Sequence, residues 1–320
     1  MNFKPIIIVA GEPNSIFFEI FIKIINKNKF KSPIILIASK KIILQQSKIL
    51  KKKIKFNLIN ESDIIKNKNK LKKINLINVD FNQKRAFNKI SSKSNKYISL
   101  CFDIATNLLK KKVSDKLING PISKKYFLNN KFNGITEYLA NKTNSKKFAM
   151  IIYNKELSVC PLTTHLPLKQ VSNKISKHEI INKVKLINDF WKKKFNKKVK
   201  IAITGLNPHC ESIDNFNEDK EIILPTIKHL KKSKYNIQGP YPADTLFLKN
   251  NRKKFDLVIG MYHDQVLTPI KTLFEYDAIN ITIGLPFIRV SPDHGPNESM
   301  LGKNKSNYLS LFNSMKFLDF

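Results

Sequence analysis

Short runs dominated by β-branched and aliphatic residues recur along this chain, and they constrain its fold more than any other feature. Ile6–Val9, Ile34–Ile37, Ala149–Tyr153, Val199–Thr204, Leu257–Ile259 and Ile279–Ile283 read as buried strands. Apolar runs of this length suit sheets covered by helices on both faces. Helical stretches lie between them. Residues 180–195 place Ile181, Val184, Ile187, Phe190 and Trp191 on one face and lysines on the other. Residues 221–230 read as a second helix, interrupted by Pro225. The alternation predicts an α/β fold with a parallel or mixed sheet. The segment 39–96 is dense in Lys, Asn and Ser and patterns poorly, so it reads as solvated surface.

Charge is the second constraint. Lys and Arg number 58 against 24 Asp and Glu, a formal net charge of +34. Such an excess raises a nucleic-acid reading. The excess is nearly all Lys, however, and travels with Asn and Ile, whose codons are all A/T-rich. Aromatics are not interleaved with the charges as base stacking requires. Nucleic acid is therefore not expected as a partner. An anionic small molecule would profit from the same field. The apolar runs fall far short of the ~20 residues of a membrane span, and the start has no signal-peptide pattern. No membrane partner and a cytoplasmic location are expected. Three cysteines without metal spacing exclude a disulfide scaffold.

Three histidines close strand-like runs: His165, His209 and His263. In open α/β sheets the carboxyl ends of strands line the ligand crevice. Taken singly, each reads more simply as a structural or surface residue. Their shared placement points to three imidazoles on one divalent metal, with open positions for substrate. His178 and His229 lie in lysine-rich helical stretches and read as solvated. Asp264 and Asp244 lie near these motifs and can orient a ligand or move a proton, although Asp also serves turns and caps. Lys271, Asn280 and Arg289 form a polar, cationic set suited to phosphate or carboxylate. Arg289 carries the most information, because arginine is rare here. Asp244 and Lys271 are the catalytic candidates. No Walker motif and no Gly-x-Gly-x-x-Gly occurs, which excludes a standard Rossmann phosphate loop.

The longer motifs run in order: Asn119-Gly120-Pro121-Ile122-Ser123-Lys124, Thr163-Thr164-His165-Leu166-Pro167-Leu168, Gly205-Leu206-Asn207-Pro208-His209, and residues 239–247. Met261-Tyr262-His263-Asp264-Gln265, residues 280–289 and Asp293-His294-Gly295 follow. Across residues 119–302 the chain resembles the 4-hydroxythreonine-4-phosphate dehydrogenase family of vitamin B6 biosynthesis. The resemblance implies an isocitrate/isopropylmalate-dehydrogenase-like fold over residues 1–320, with two α/β subdomains flanking an active-site cleft. It implies a homodimer with active sites at the subunit interface. His165, His209 and His263 fall on the family's metal ligands, for zinc, magnesium, cobalt or manganese. Thr136, Lys271, Asn280 and Arg289 fall on substrate contacts. NAD or NADP is expected near Asp293, His294 and Gly295. The implied reaction oxidises 4-phosphohydroxy-L-threonine to 2-amino-3-oxo-4-phosphobutanoate, which loses carbon dioxide to give 3-amino-2-oxopropyl phosphate.

Four departures from the family pattern stand out. Ile135 replaces a histidine in Gly134-Ile135-Thr136-Glu137. Asn14, Ser15, Ile16 and Phe17 replace small residues after Gly11-Glu12-Pro13. Cys210-Glu211 replaces a small pair, and Pro296 replaces a hydroxyl residue. Ile135 cannot donate a hydrogen bond, and losing one to an anion costs about 1.5–3 kcal/mol. A related four-carbon acid phosphate, erythronate or threonate 4-phosphate, is the alternative substrate. A decayed, noncatalytic basic binding protein is the alternative from another class.

Overall fold

The computed structural model describes residues 3–67, 70–129, 131–132 and 134–320. Its strands are β1 (Ile6–Val9), β2 (Ile34–Ala38), β3 (Asn57–Leu58), β4 (Ile74–Asn78), β5 (Lys116–Asn119), β6 (Ala149–Tyr153), β7 (Ser158–Pro161), β8 (Ile201–Thr204), β9 (Ile237–Tyr241), β10 (Leu257–Gly260), β11 (Ile279–Ile283) and β12 (Ile288–Pro292). The helices are α1 (Phe17–Lys27), α2 (Lys40–Ile49), α3 (Glu61–Lys66), α4 (Asn95–Lys110), α5 (Ile135–Lys142), α6 (Lys177–Phe195), α7 (Leu224–Lys232), α8 (Ala243–Leu246), α9 (Lys249–Arg252), α10 (His263–Phe274) and α11 (Leu309–Leu318). Among the described residues, no helix is long and apolar enough to cross a membrane. The chain divides into two units, Met1–Thr143 with Pro286–Phe320, and Asn144–Leu285.

The first unit orders its strands β3-β4-β2-β1-β5-β12, each pair parallel. β1 is central and wholly buried, as its four apolar residues require. The apolar face of α1, with Phe17, Phe18, Ile20, Phe21, Ile22 and Ile24 all buried, supplies much of the core. The segment 39–96 departs from the expectation of solvated surface. It contributes α2, α3 and two strands, and Leu76 and Ile77 of β4 are core residues. Asn75 hides the strand from a hydropathy reading. It is fully buried because its amide donates to the carbonyls of Ile34 and Lys72 and accepts from Lys72 N–H.

The second unit orders its strands β11-β6-β7-β10-β8-β9. β11, β6 and β7 are antiparallel to one another, while β7-β10-β8-β9 run parallel. α6 starts where Ser176 accepts the N–H of Glu179. It buries Ile180, Val184, Ile187, Phe190 and Trp191, so Ile180 takes the place expected for the half-buried Ile181. The helix expected over 221–230 is present, in two joined parts. Residues Asp219–Ile223 form one wide turn, and α7 begins after it with Pro225 in its first turn.

Candidate active site

The three histidine motifs lie at the carboxyl ends of neighbouring parallel strands. His165 follows β7, His263 follows β10 and His209 follows β8. Registers Gly260↔Pro161 and Ile259↔Ile203 set these ends side by side. The His165 and His263 rings stand 5.7 Å apart between centroids, tilted by 39°. His263 is the first residue of α10, and its Nδ1 lies 2.6 Å from Asp264 Oδ1. A carboxylate on Nδ1 fixes the tautomer and leaves Nε2 to face a metal. His209 is exposed and adopts φ 57°. Among the described residues, no group of three or more His, Cys, Asp or Glu side chains stands close enough to hold one metal ion. The structure thus brings His165 and His263 together, a donor pair that fits a divalent cation, and sets His209 on the adjoining strand end. His178 and His229 are exposed, as expected.

Among the remaining residues of the second unit, the Asp244 carboxylate lies within electrostatic reach of the Cys210 thiol, beside His209. Asp244 is exposed in the first turn of α8, where Oδ1 accepts the N–H of Thr245. Lys271 is exposed in the last turn of α10. Asn280 lies in β11 opposite Ile152, and its buried Oδ1 has no hydrogen-bond partner among the described residues. An acceptor so placed is suited to a ligand donor. Cys210 is half-buried, and burial together with the Asp219 carboxylate pushes its thiol up to about 11, so it is not a thiolate at neutral pH.

In the first unit the structure joins Arg289 and Thr136. Arg289 is 1% exposed on β12, and Nε donates to Asn119 Oδ1 at 2.6 Å. One terminal nitrogen donates to Thr136 Oγ1 at 3.4 Å. Burial lowers the guanidinium from its ordinary value to about 9, opposed by the Glu137 carboxylate. It therefore stays charged at neutral pH. Asn119 was legible only as part of its motif; its role as the arginine's partner emerges from the β5–β12 register Val290↔Ile118. Ile135 opens α5 and is half-buried.

Asp293, His294 and Gly295 follow β12. Asp293 N–H donates to Ser310 Oγ at 2.8 Å. His294 Nδ1 donates to Gly295 O at 3.0 Å, while its buried Nε2 has no hydrogen-bond partner among the described residues. Burial lowers the His294 pKa, which keeps the ring neutral. A Cβ on Gly295 would meet nothing within 4 Å. An orphaned imidazole nitrogen beside an open backbone face fits a polar ligand such as a nicotinamide dinucleotide. The backbone carbonyl of residue 296 accepts the N–H of Ile16, a bond that the proline substitution leaves in place. Phe17, the bulkiest replacement after Gly11-Glu12-Pro13, is buried; a Cβ on Gly120 would lie 2.7 Å from its ring. A cleft of about 970 Å³ in the first unit is lined by Asn14, Arg85, Lys89, Lys96 and Tyr97 among others; it includes Asn14 of the altered Gly11-Glu12-Pro13 continuation but none of the candidate catalytic, substrate, metal or cofactor residues.

The chain is similar to known proteins over most of its length. Residues 29–318 match the family model described as pyridoxal phosphate biosynthetic protein PdxA. A 4-hydroxythreonine-4-phosphate dehydrogenase of Sulfurihydrogenibium sp. is 40% identical over 303 residues, 93% of this chain and 92% of that one. A D-threonate 4-phosphate dehydrogenase of Salmonella typhimurium is 32% identical over 228 residues, 70% of each. The crystal structure of 4-hydroxythreonine-4-phosphate dehydrogenase from Klebsiella pneumoniae superposes with a TM-score of 0.83 at 25% identity, covering 98% of both chains. Matched over most of its length by the family model and by full-length relatives, this α/β chain belongs to the pyridoxal phosphate biosynthetic protein PdxA family.

Proposed function

We propose that the protein is an NAD- or NADP-dependent, metal-requiring dehydrogenase of 4-phosphohydroxy-L-threonine. The secondary alcohol loses a hydride and a proton, giving 2-amino-3-oxo-4-phosphobutanoate. This β-keto acid then releases carbon dioxide and takes up a proton, leaving 3-amino-2-oxopropyl phosphate. The supporting observation is the His165–His263 pair with Asp264 behind it, in a chain of this family. When bound, the nicotinamide supplies a hydride acceptor and a divalent cation supplies Lewis-acid polarisation.

The chain's own residues bind and orient. Asp264 fixes the His263 ring, so His165, His209 and His263 can serve as metal ligands. Arg289 presents a charged donor fork toward an anionic group, its plane set by Asn119 and Thr136. Asn280 offers an acceptor. Lys271 and Asp244 are exposed and can exchange protons with solvent. Exposed apolar side chains follow several of these groups in the chain: Leu168 at 69%, Phe216 at 55%, Leu248 at 59% and Tyr276 at 57% exposure. Exposed apolar groups of this kind support a homodimer that completes the metal set and shields the reaction from water.

Ile135 and the D-threonate 4-phosphate dehydrogenase relative favour a second reading, a four-carbon acid phosphate without the amino group. Absorbance at 340 nm, with zinc and either NAD or NADP, compares 4-phosphohydroxy-L-threonine with threonate and erythronate 4-phosphates. Turnover of the amino substrate, lost in His263→Ala, supports the first reading. Turnover of the acid phosphates alone supports the second. No turnover with either substrate class and no metal bound would point to the noncatalytic alternative.

A further inference from the structure

His209 and Cys210 are successive non-glycine residues at φ 57° and 62°. The left-handed region costs an L-residue roughly 1–2 kcal/mol, so neighbouring groups must hold this turn. Asp219, 1% exposed, does so. Its Oδ1 accepts Leu206 N–H at 2.8 Å, and its Oδ2 accepts Asn207 N–H and Asn207 Nδ2, each at 3.1 Å. Gly205 permits the approach, since a Cβ there would lie 2.6 Å from Oδ1. Cys210 N–H then closes the turn on Asn207 O at 3.0 Å.

A second clamp joins this turn to the next strand end. Gln265 Oε1 accepts Thr204 Oγ1 and Met261 N–H, each at 2.7 Å, while Nε2 donates to Gly205 O at 2.7 Å. One amide therefore binds the end of β8 to Met261, two residues before the His263 helix. We propose that Asp219 and Gln265 are positioning residues that fix the His209 turn against the His263 helix start. The proposal rests on the metal-site reading above. Donors already engage both Asp219 oxygens and the Gln265 oxygen, so these residues act through the histidines and do not touch substrate.

The test is a cobalt(II) titration of the full chain, following the visible bands of histidine-bound cobalt alongside far-UV circular dichroism. Asp219→Asn turns an N–H₂ toward donors that need an acceptor. Supporting groups of metal ligands typically alter affinity about 10–100-fold. The expected result is a cobalt dissociation constant raised at least tenfold, with altered visible bands and a native circular dichroism spectrum. Should Asp219→Asn fail to fold, Asn207→Ala decides. It deletes one half-buried donor, about 1 kcal/mol, for a roughly fivefold weakening. Wild-type affinity and bands in the folded variant that decides would overturn the proposal. Absence of cobalt binding by the wild type would overturn the metal-site reading, and the proposal with it.

Discussion

Replacing Arg289 by Met should leave the fold as stable as before, or more so, while removing most of the activity. The guanidinium is 1% exposed, and burial lowers its pKa well below the ordinary value, to about 9. That displacement corresponds to a cost of about 5 kcal/mol for keeping the cation in the fold. At pH 7 the group is still protonated, so the folded chain carries the whole cost. Met removes it and leaves Asn119 Oδ1 without its donor, a penalty of about 1–3 kcal/mol. The net change should lie between neutral and a few kcal/mol of stabilisation. The cost is fully present below about pH 9. It shrinks as pH rises above that toward the ordinary guanidinium pKa, because the folded chain gives up this proton before the unfolded chain does. Urea unfolding at pH 7, read by circular dichroism, measures the stability. Steady-state kinetics should show kcat/KM reduced roughly 10–150-fold, the loss of one charged hydrogen bond to an anionic substrate. A variant destabilised by more than about 2 kcal/mol, or one with unchanged kcat/KM, would refute the reasoning.

Ile135→His restores the family's donor and should raise kcat/KM for 4-phosphohydroxy-L-threonine by roughly tenfold or more; an unchanged ratio of amino to non-amino substrates would count against the pocket argument. Gly120→Ala should destabilise the first unit by about 1–3 kcal/mol in urea titrations, because its Cβ would stand 2.1 Å from Ala10 O and 2.7 Å from the Phe17 ring. Burial holds the Glu12 carboxyl above its usual range despite hydrogen bonds from Ser94 Oγ and Asn14 N–H. Its contribution is full below about pH 4.5 and declines as pH rises through the raised folded value. Glu12→Gln should flatten that decline between pH 4 and 7, and parallel urea midpoints in the two proteins would exclude the assignment.

The sequence was readable where burial acts on contiguous apolar residues. All six runs read as strands are strands, with ends shifted by at most a couple of residues. β5 and β4 escaped notice for a common reason. Lys116 and Asn75 are buried polar residues whose side chains bond to neighbouring groups across the fold, and a local hydropathy pattern cannot reveal such partners. The histidine motifs stood out because each follows an apolar run. Asp219 and Gln265 did not stand out as supports, because their partners become neighbours only when β8 and β10 pair. Asn119 and Arg289 are likewise joined by strand pairing across the whole of the second unit.

That pairing has a consequence for synthesis. β5 ends at Asn119, but its partner β12 begins at Ile288, after every strand of the second unit. On a ribosome adding about 5–20 residues per second, roughly ten to thirty seconds separate the two. The second unit can close its own sheet as soon as β11 emerges to meet β6. The unit that begins the chain is therefore completed last, and until then the β12 side of β5 is an open parallel edge. Chaperone capture or premature pairing between nascent chains would be concentrated at this edge.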